Sequence, residues 1–370
     1  MPEALPAVCC GTRFGRAYIE GLRLSPDFVL AGILARGSER SRKMAAEYNV
    51  PLYTEPEQLP ENIKAACVVI RSSIVGGAGT DIALRLLRRG VHVIQEHPMH
   101  QREVEMCRAA AQESGCVHYL NTHHVHLAET RHFLDIVHKI SKEQPISFIN
   151  GLCGVQVLCS LLDIIGMISG TVRPYDFDDY HPVGKKILDA CSLKAFPYEV
   201  IRGYIAEAPV TLSIQNHYDP DDPDNNASIL HRITVGFPSG NLTLMSAFGP
   251  VIWSDRLHFP GDIFNLEGSS KADEPVFRSA AGDSQISLND LVLKKWPQAV
   301  AHALGEFSLK INGNDPFPNR ERYEHDLCSL WTDCMQRMGA PGLVKISPPP
   351  RDLPEAVRSL SAKMFFKEKV

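Results

Sequence analysis

The chain has 370 residues, 44% of them hydrophobic and 22% charged, with a formal net charge of −5. That length predicts two domains with enough apolar material for two cores, so no metal or disulfide staple is needed. The mild charge and the lack of a Lys/Arg block argue against nucleic acid, and no apolar run approaches the ~20 residues of a membrane span.

The start, Met1–Val8, lacks the basic flank and hydrophobic core of a signal peptide, so a cytoplasmic protein is expected. The ten cysteines include no Cys-x-x-Cys pair. Cys9, Cys10, Cys67, Cys153 and Cys159 sit in apolar runs and read as buried free thiols. His97, His100, His123, His124 and His126 form two clusters, but no His-Glu-x-x-His or Cys/His spacing accompanies them, and no metal is expected.

Residues 5–10 read as a first strand, followed by Cys10-Gly11-Thr12-Arg13-Phe14-Gly15 and a helix from Arg16 to about Leu24. Strand, glycine turn and helix open a dinucleotide-binding unit, in which backbone N–H groups at a helix N-terminus face a pyrophosphate. In a Gly-x-Gly-x-x-Gly frame Cys10 and Thr12 replace the first two glycines, Gly15 remains, and Gly11 can supply the turn.

Phe28–Leu34 is the second strand, and its tip carries Arg36, Ser38, Arg40, Ser41 and Arg42 where an NAD-binding unit usually has an acidic residue. Guanidinium and hydroxyl groups there suit the 2′-phosphate of NADP. Ser38 also suits a helix N-cap.

A helix over Ser41–Tyr48 and strands at Val50–Tyr53 and Ala66–Ile70 follow. The loop Arg71-Ser72-Ser73-Ile74-Val75-Gly76-Gly77-Ala78-Gly79 either lines the cofactor cleft, through Arg71 and Ser72, or is a connector. After a helix to Arg89, the run Val91–Ile94 is a buried strand ending in Glu96-His97-Pro98. The C-terminal edge of such a strand is where open α/β sheets bind ligands. Arg102–Ser114 is helical, and a strand at Val117–Leu120 ends in Asn121-Thr122-His123-His124-Val125-His126. The alternation predicts a mostly parallel sheet over a domain of residues 1–122.

From about residue 127 the rhythm changes. Helices are expected at Ala128–Ile140, Val157–Ser169, Val292–Leu309 and Arg320–Met338. Strands are expected at Ile146–Gly151, Val200–Glu207, Val210–Tyr218, Ile229–Phe237 and Leu242–Phe248, the last two joined by a hairpin loop at Pro238-Ser239-Gly240. Consecutive strands predict an α+β domain of residues 123–340 on a mostly antiparallel open sheet, followed by a tail, 341–370, with a short helix. Asp219–Asn226 reads as a rigid acidic surface loop, and the polar residues 255–290 as a mobile lid.

A nucleotide-binding half, a strand ending Gly-x-His-Val-x-x-Glu-x-Pro and an α+β half resemble the glucose–fructose oxidoreductase/inositol dehydrogenase (Gfo/Idh/MocA) family. That family usually has Glu-Lys-Pro at the strand end, its lysine contacting cofactor and often substrate, and His97 takes that place here. Many members carry Asp and His four residues apart on a second-domain helix. Asp163 is kept here, and Met167 replaces the His that serves alcohol oxidation. Both changes argue against a sugar dehydrogenase.

A narrower resemblance is to the thiazolinyl imine reductases of siderophore biosynthesis. It rests on Arg13–Gly15, Gly37–Arg42, Val69–Ser72, Val91–Pro98, Asp219–Asp224 and Gly249–Ser254. The resemblance implies NADPH-dependent reduction of a thiazoline C=N to a thiazolidine, on a substrate tethered as a thioester to a nonribosomal peptide synthetase carrier protein. It also implies proton donation by the His of Glu-His-Pro, here His97, and by a Tyr whose place falls at about His124. On this reading His97 protonates the thiazoline nitrogen, His124 or an ordered water assists, and Glu96 or Asn121 orients.

The cofactor set is Gly11, Thr12, Arg13, Phe14, Gly15, Arg36, Ser38, Arg40, Ser41, Arg71, Ser72, Glu96 and Asn121. A homodimer is expected. The competing readings are an NADP-dependent sugar or carbonyl oxidoreductase and a non-catalytic NADPH-binding scaffold docking on a synthetase.

Overall fold

A computed structural model describes residues 3–191, 198–224, 227–258, 274–281, 286–317 and 319–347. The first half alternates strand and helix: β1 (Leu5–Cys10), α1 (Gly15–Leu24), β2 (Phe28–Leu34), α2 (Glu39–Glu47), β3 (Leu52–Tyr53), β4 (Ala65–Val68), α3 (Gly79–Arg88), β5 (His92–Glu96), α4 (Gln101–Glu113) and β6 (His118–Asn121). The six strands are all parallel, in the order β3-β2-β1-β4-β5-β6. Strand order reverses between β1 and β4, which opens a crevice at their C-terminal ends.

The strands are short apolar runs because both faces are covered. Val8 and Cys10 of β1 enter one core with Val68 and Val93. Ala7 and Cys9 enter the other with Cys67 and Ile94.

The second half contains α5 (Ala128–Ser141), β7 (Phe148–Gly154), α6 (Leu158–Ser169), β8 (Tyr175–Phe177), α7 (Lys185–Ala190), β9 (Glu199–Ile205), β10 (Ala208–Gln215), β11 (His217–Tyr218), β12 (Arg232–Phe237), β13 (Gly240–Leu244), β14 (Val251–Asp255) and β15 (Phe277–Ala281). Its eight-stranded sheet runs β15-β14-β13-β12-β7-β10-β9-β8. Every pair is antiparallel except β7 with β10. This is the expected α/β half joined to an open, mostly antiparallel sheet. Phe237 pairs with Gly240 across the expected hairpin. Part of the stretch read as a lid is the edge strand β15, which pairs with β14, while 259–273 and 282–285 lie outside the described residues.

The chain closes with a turn α8 (Leu288–Asp290), a π-helical stretch Leu291–Lys295, α9 (Trp296–Ile311), α10 (Arg320–Met338) and β16 (Gly342–Leu343), which pairs with β11. The short helix expected near the C-terminus lies outside the described residues.

Helix α10 joins α6 in covering the second sheet through Leu327, Leu330 and Trp331. Helix α9 follows the second sheet in sequence but packs against the first. Its Val300, Ala303, Leu304 and Phe307 share a core with Tyr18, Leu22 and Phe28. Gly21 permits that contact, because a Cβ there would lie 2.5 Å from Val300 Cγ1.

Cys9, Cys10, Cys67, Cys153 and Cys159 are buried and free. Among the described residues no helix is long and apolar enough to cross a membrane.

Candidate active site

At the reversal point Gly11 has φ +101°, and a Cβ there would lie 2.5 Å from the Val69 carbonyl oxygen. Only glycine closes this turn. Its N–H donates to the Leu34 carbonyl at 3.0 Å. Gly15 begins α1, whose first backbone N–H groups and positive dipole end suit a pyrophosphate. Thr12 and Arg13 lie between, with Arg13 exposed.

Phe14 packs edge-on against His123 and Trp296, with ring centroids 5.0 and 5.2 Å away. His123 is buried at a positive φ of 61°. Neither of its ring nitrogens, nor Trp296 Nε1, has a hydrogen-bond partner among the described residues. These rings pack directly behind the glycine turn through Phe14.

Beyond β2, Arg36, Ser38 and Arg40 are exposed, and neither arginine forms an ion pair among the described residues. Ser41 differs from its assignment to the cofactor. It is buried, and its hydroxyl donates to the Ser38 carbonyl at 2.8 Å while its N–H donates to Ser38 Oγ. It belongs to the cap of α2, because Ser favours such local backbone bonds.

Arg71 and Ser72 are also engaged elsewhere. Arg71 pairs with Asp224 at 2.6 Å, tying the first domain to the acidic loop. Buried Ser72 donates to the Pro98 carbonyl. The glycines that follow serve the loop's own closure: a Cβ at Gly77 would lie 1.9 Å from the Arg71 carbonyl oxygen, and one at Gly79 2.1 Å from that of Ile70. In the acidic loop, Asp219 accepts the N–H groups of Asp221 and Ile346, both at 2.9 Å. Asn225 and Asn226 lie outside the described residues.

The register of β5 and β6 sets Glu96 opposite Asn121. Glu96 Oε1 lies 3.0 Å from His97 Nδ1, and Oε2 accepts the Tyr18 hydroxyl. Asn121 Nδ2 donates to the Tyr18 oxygen, its Oδ1 accepts the His123 N–H at 2.9 Å, and its carbonyl accepts the His97 N–H at 3.0 Å. The His97 side chain is 7% exposed. With Nδ1 held by the carboxylate, Nε2 is the nitrogen left to exchange a proton with a substrate. Burial and the neighbouring Glu96 push the Tyr18 phenol well above its usual range, so it stays a neutral donor.

His124 lies in a separate network. Its Nδ1 is 3.1 Å from Ser160 Oγ, which is 2.7 Å from His231 Nε2. The two imidazole rings are 4.2 Å apart. His231 Nε2 also lies 3.2 Å from the Val157 carbonyl, which can only accept, so that nitrogen carries the proton. The Ser160 hydroxyl then donates either to Val157, 3.0 Å away, or to His124, and this choice sets the His124 tautomer.

Burial, then the adjacent His231, His123 and His97, hold His124 well below the usual histidine range. Burial brings His231 and His123 down to about 3. These three rings are neutral near pH 7, unlike a charged acid.

Asp163 is a buried anchor. Its carboxylate accepts the Thr122 hydroxyl and, at 2.5 Å, the Tyr323 hydroxyl, and burial raises its pKa. It borders a 330 Å³ cavity with Met167, His126 and Glu306. Neither Glu96 nor His97 lines that cavity, so the site is placed on the strand ends. His100 caps α4, its Nδ1 accepting the Arg102 N–H at 3.2 Å.

Tyr18, Ser160 and His231 were not evident from sequence. A tyrosine on the otherwise apolar, sheet-facing side of α1 was the available signal for the first. The other two come from elements joined only by the long-range fold.

A family model described as the oxidoreductase family, NAD-binding Rossmann fold (Gfo/Idh/MocA) matches residues 6–122. A second, the thiazolinyl imine reductase Irp3-like C-terminal domain, matches 144–254. Together they span more than half of the chain. No curated protein matches it significantly in sequence.

Among solved structures, a 3-ketoreductase from Actinomadura kijaniata in complex with NADP and TDP-benzene is similar at TM-score 0.64 and 13% identity, over 92% of this chain and 99% of that one. Biliverdin reductase from Synechocystis sp., with biliverdin and NADP+, gives 0.60 at 11%, over 90% and 98%. A myo-inositol dehydrogenase from Corynebacterium glutamicum gives 0.59 at 11%, over 93% and 100%. At these identities the likeness is one of fold. The chain is thus an NAD(P)-dependent oxidoreductase of the Gfo/Idh/MocA family, with a second domain of the Irp3-like thiazolinyl imine reductase type.

Proposed function

We propose that the protein reduces a thiazoline C=N to a thiazolidine with NADPH, on a siderophore intermediate tethered to the carrier protein of a nonribosomal peptide synthetase. The observation that carries this reading is the match of the second domain to thiazolinyl imine reductases. The Glu96–His97 pair at the end of β5 supports it.

NADPH, when bound, supplies the hydride. The nitrogen of a reduced imine must gain a proton, and histidine, ordinarily near pKa 6.5, is suited to give one near neutrality. His97 delivers that proton from Nε2, and Glu96 fixes the ring through Nδ1. Tyr18 holds Glu96 in turn, and Asn121 holds the Tyr18 oxygen. His124, kept neutral, positions the neighbouring surface through Ser160 rather than serving as a charged acid.

Gly11, Thr12, Arg13, Phe14 and Gly15 would cradle the pyrophosphate. The exposed guanidinium groups of Arg36 and Arg40, with Ser38, suit a 2′-phosphate. The working form is proposed to be a cytoplasmic homodimer.

The test is cofactor oxidation with a carrier-bound thiazolinyl thioester, NADPH beside NADH, and a panel of free sugars and polyols. Thioester-dependent NADPH oxidation is expected. Turnover of sugars alone would make the protein a carbonyl oxidoreductase. Tight NADPH binding with no turnover of a tethered thiazoline would make it a scaffold.

A further inference from the structure

Three side chains outside the reductive site converge where α9 passes the turn His124–His126. His126 Nδ1 lies 3.0 Å from His302 Nδ1. Glu306 Oε1 lies 4.0 Å from the first nitrogen and 3.9 Å from the second. His302 and Glu306 are one helical turn apart and so share a face of α9.

An imidazole–imidazole hydrogen bond explains one edge of this triangle. It does not explain Oε1, nearly equidistant from both nitrogens and too far from either for a hydrogen bond. The other carboxylate oxygen, Oε2, accepts from Tyr119 at 2.9 Å and Arg320 at 2.7 Å. Those bonds orient the carboxylate and leave Oε1 turned to the histidines. The point equidistant from the three atoms is about 2.1 Å from each, which is the length of zinc bonds to imidazole and carboxylate.

The surrounding charge is mixed. Arg320 is offset by Asp315, whose two oxygens lie 3.0 and 2.9 Å from its Nε. Arg131 borders the same cavity and opposes a cation, whereas Asp163 and Glu324 favour one.

We propose that His126, His302 and Glu306 form a binding site for a divalent transition metal of the zinc class, with its open coordination positions facing the 330 Å³ cavity. Two imidazoles and one carboxylate are donors that such ions accept. The metal joins the turn after β6 to α9, and therefore to the helix that covers the first sheet. It is a clasp, separate from His97.

The test uses the full chain, stripped with a chelator and titrated with Zn²⁺, with Co²⁺ as a spectroscopic probe. One tightly held Zn²⁺ per chain is expected after gel filtration, with a rise in the thermal midpoint. The Co²⁺ spectrum should lack thiolate charge-transfer bands. His302→Ala and Glu306→Gln should each weaken affinity at least tenfold and lose the thermal shift, with circular dichroism confirming that they fold. His138→Ala, in the same cavity but bonded to the Met167 carbonyl, should bind as the wild type does. No retained Zn²⁺ on the wild type, thiolate bands with Co²⁺, or wild-type affinity in folded His302→Ala would each overturn the site.

Discussion

Nδ1 of His97 lies 3.0 Å from Oε1 of Glu96, the residue before it in the chain. Two adjacent side chains at one strand end thus hold a ring in place without help from the second domain. His97→Ala is expected to lower kcat by about 10²- to 10⁴-fold, the usual weight of a positioned acid. Glu96→Gln should cost about 10- to 100-fold, the worth of one charge-assisted hydrogen bond. Fluorescence titration should show NADPH affinity unchanged in His97→Ala. Wild-type turnover in that variant removes His97 as the acid.

Ser160→Ala removes the oxygen shared by His124 and His231. His231 keeps the Val157 carbonyl, but leaving the buried His124 Nδ1 unpaired should lower stability by about 1–3 kcal/mol, read from urea midpoints. Because positioning is lost rather than a proton source, kcat should fall by no more than about tenfold. A loss as large as that of His97→Ala would move the proton source to His124.

Arg36→Ala tests the cofactor preference. If its guanidinium meets a 2′-phosphate, KM for NADPH should rise by about tenfold or more while KM for NADH stays constant. Equal changes for both cofactors would place Arg36 elsewhere.

Acid should destabilise the protein early. Burial lowers the pKa values of His118, His123 and His231 to about 3. These rings stay neutral in the folded chain below pH 6.5, while the unfolded chain takes up their protons. The stability they allow is whole above about pH 6.5 and falls as pH drops toward their folded values. Each can contribute up to about 1.4 kcal/mol per pH unit in that window. Urea midpoints at pH 7.5, 6.5 and 5.5 should decline progressively, and His118→Gln should flatten the decline. A constant midpoint would contradict neutral burial.

The first half was legible because each parallel strand is an apolar run followed by a helix or turn, so a parallel sheet followed from alternation, although the order β3-β2-β1-β4-β5-β6 did not. The parallel pairing of β7 with β10 was not, because antiparallel neighbours and a distant parallel partner leave the same pattern along a strand. Glu96 and His97 were readable, since a strand end announces itself locally. Ser41 was misassigned because the residue types that bind phosphate also cap helices, and only its burial separates the two. Ser160 and His231 carry no local mark. Their meeting depends on α6 and the entry to β12, far apart in sequence.

Helix α9 leaves the first sheet dependent on chain made much later. Val300, Ala303, Leu304 and Phe307 complete a face begun by Tyr18 and Phe28. A fragment ending at residue 122 would present that face bare to water. In topological terms the second sheet is an insertion within the nucleotide-binding body. Anyone transplanting the cofactor module must carry two separated pieces of sequence, and any exchange of substrate domains has two junctions, one before α5 and one before α9.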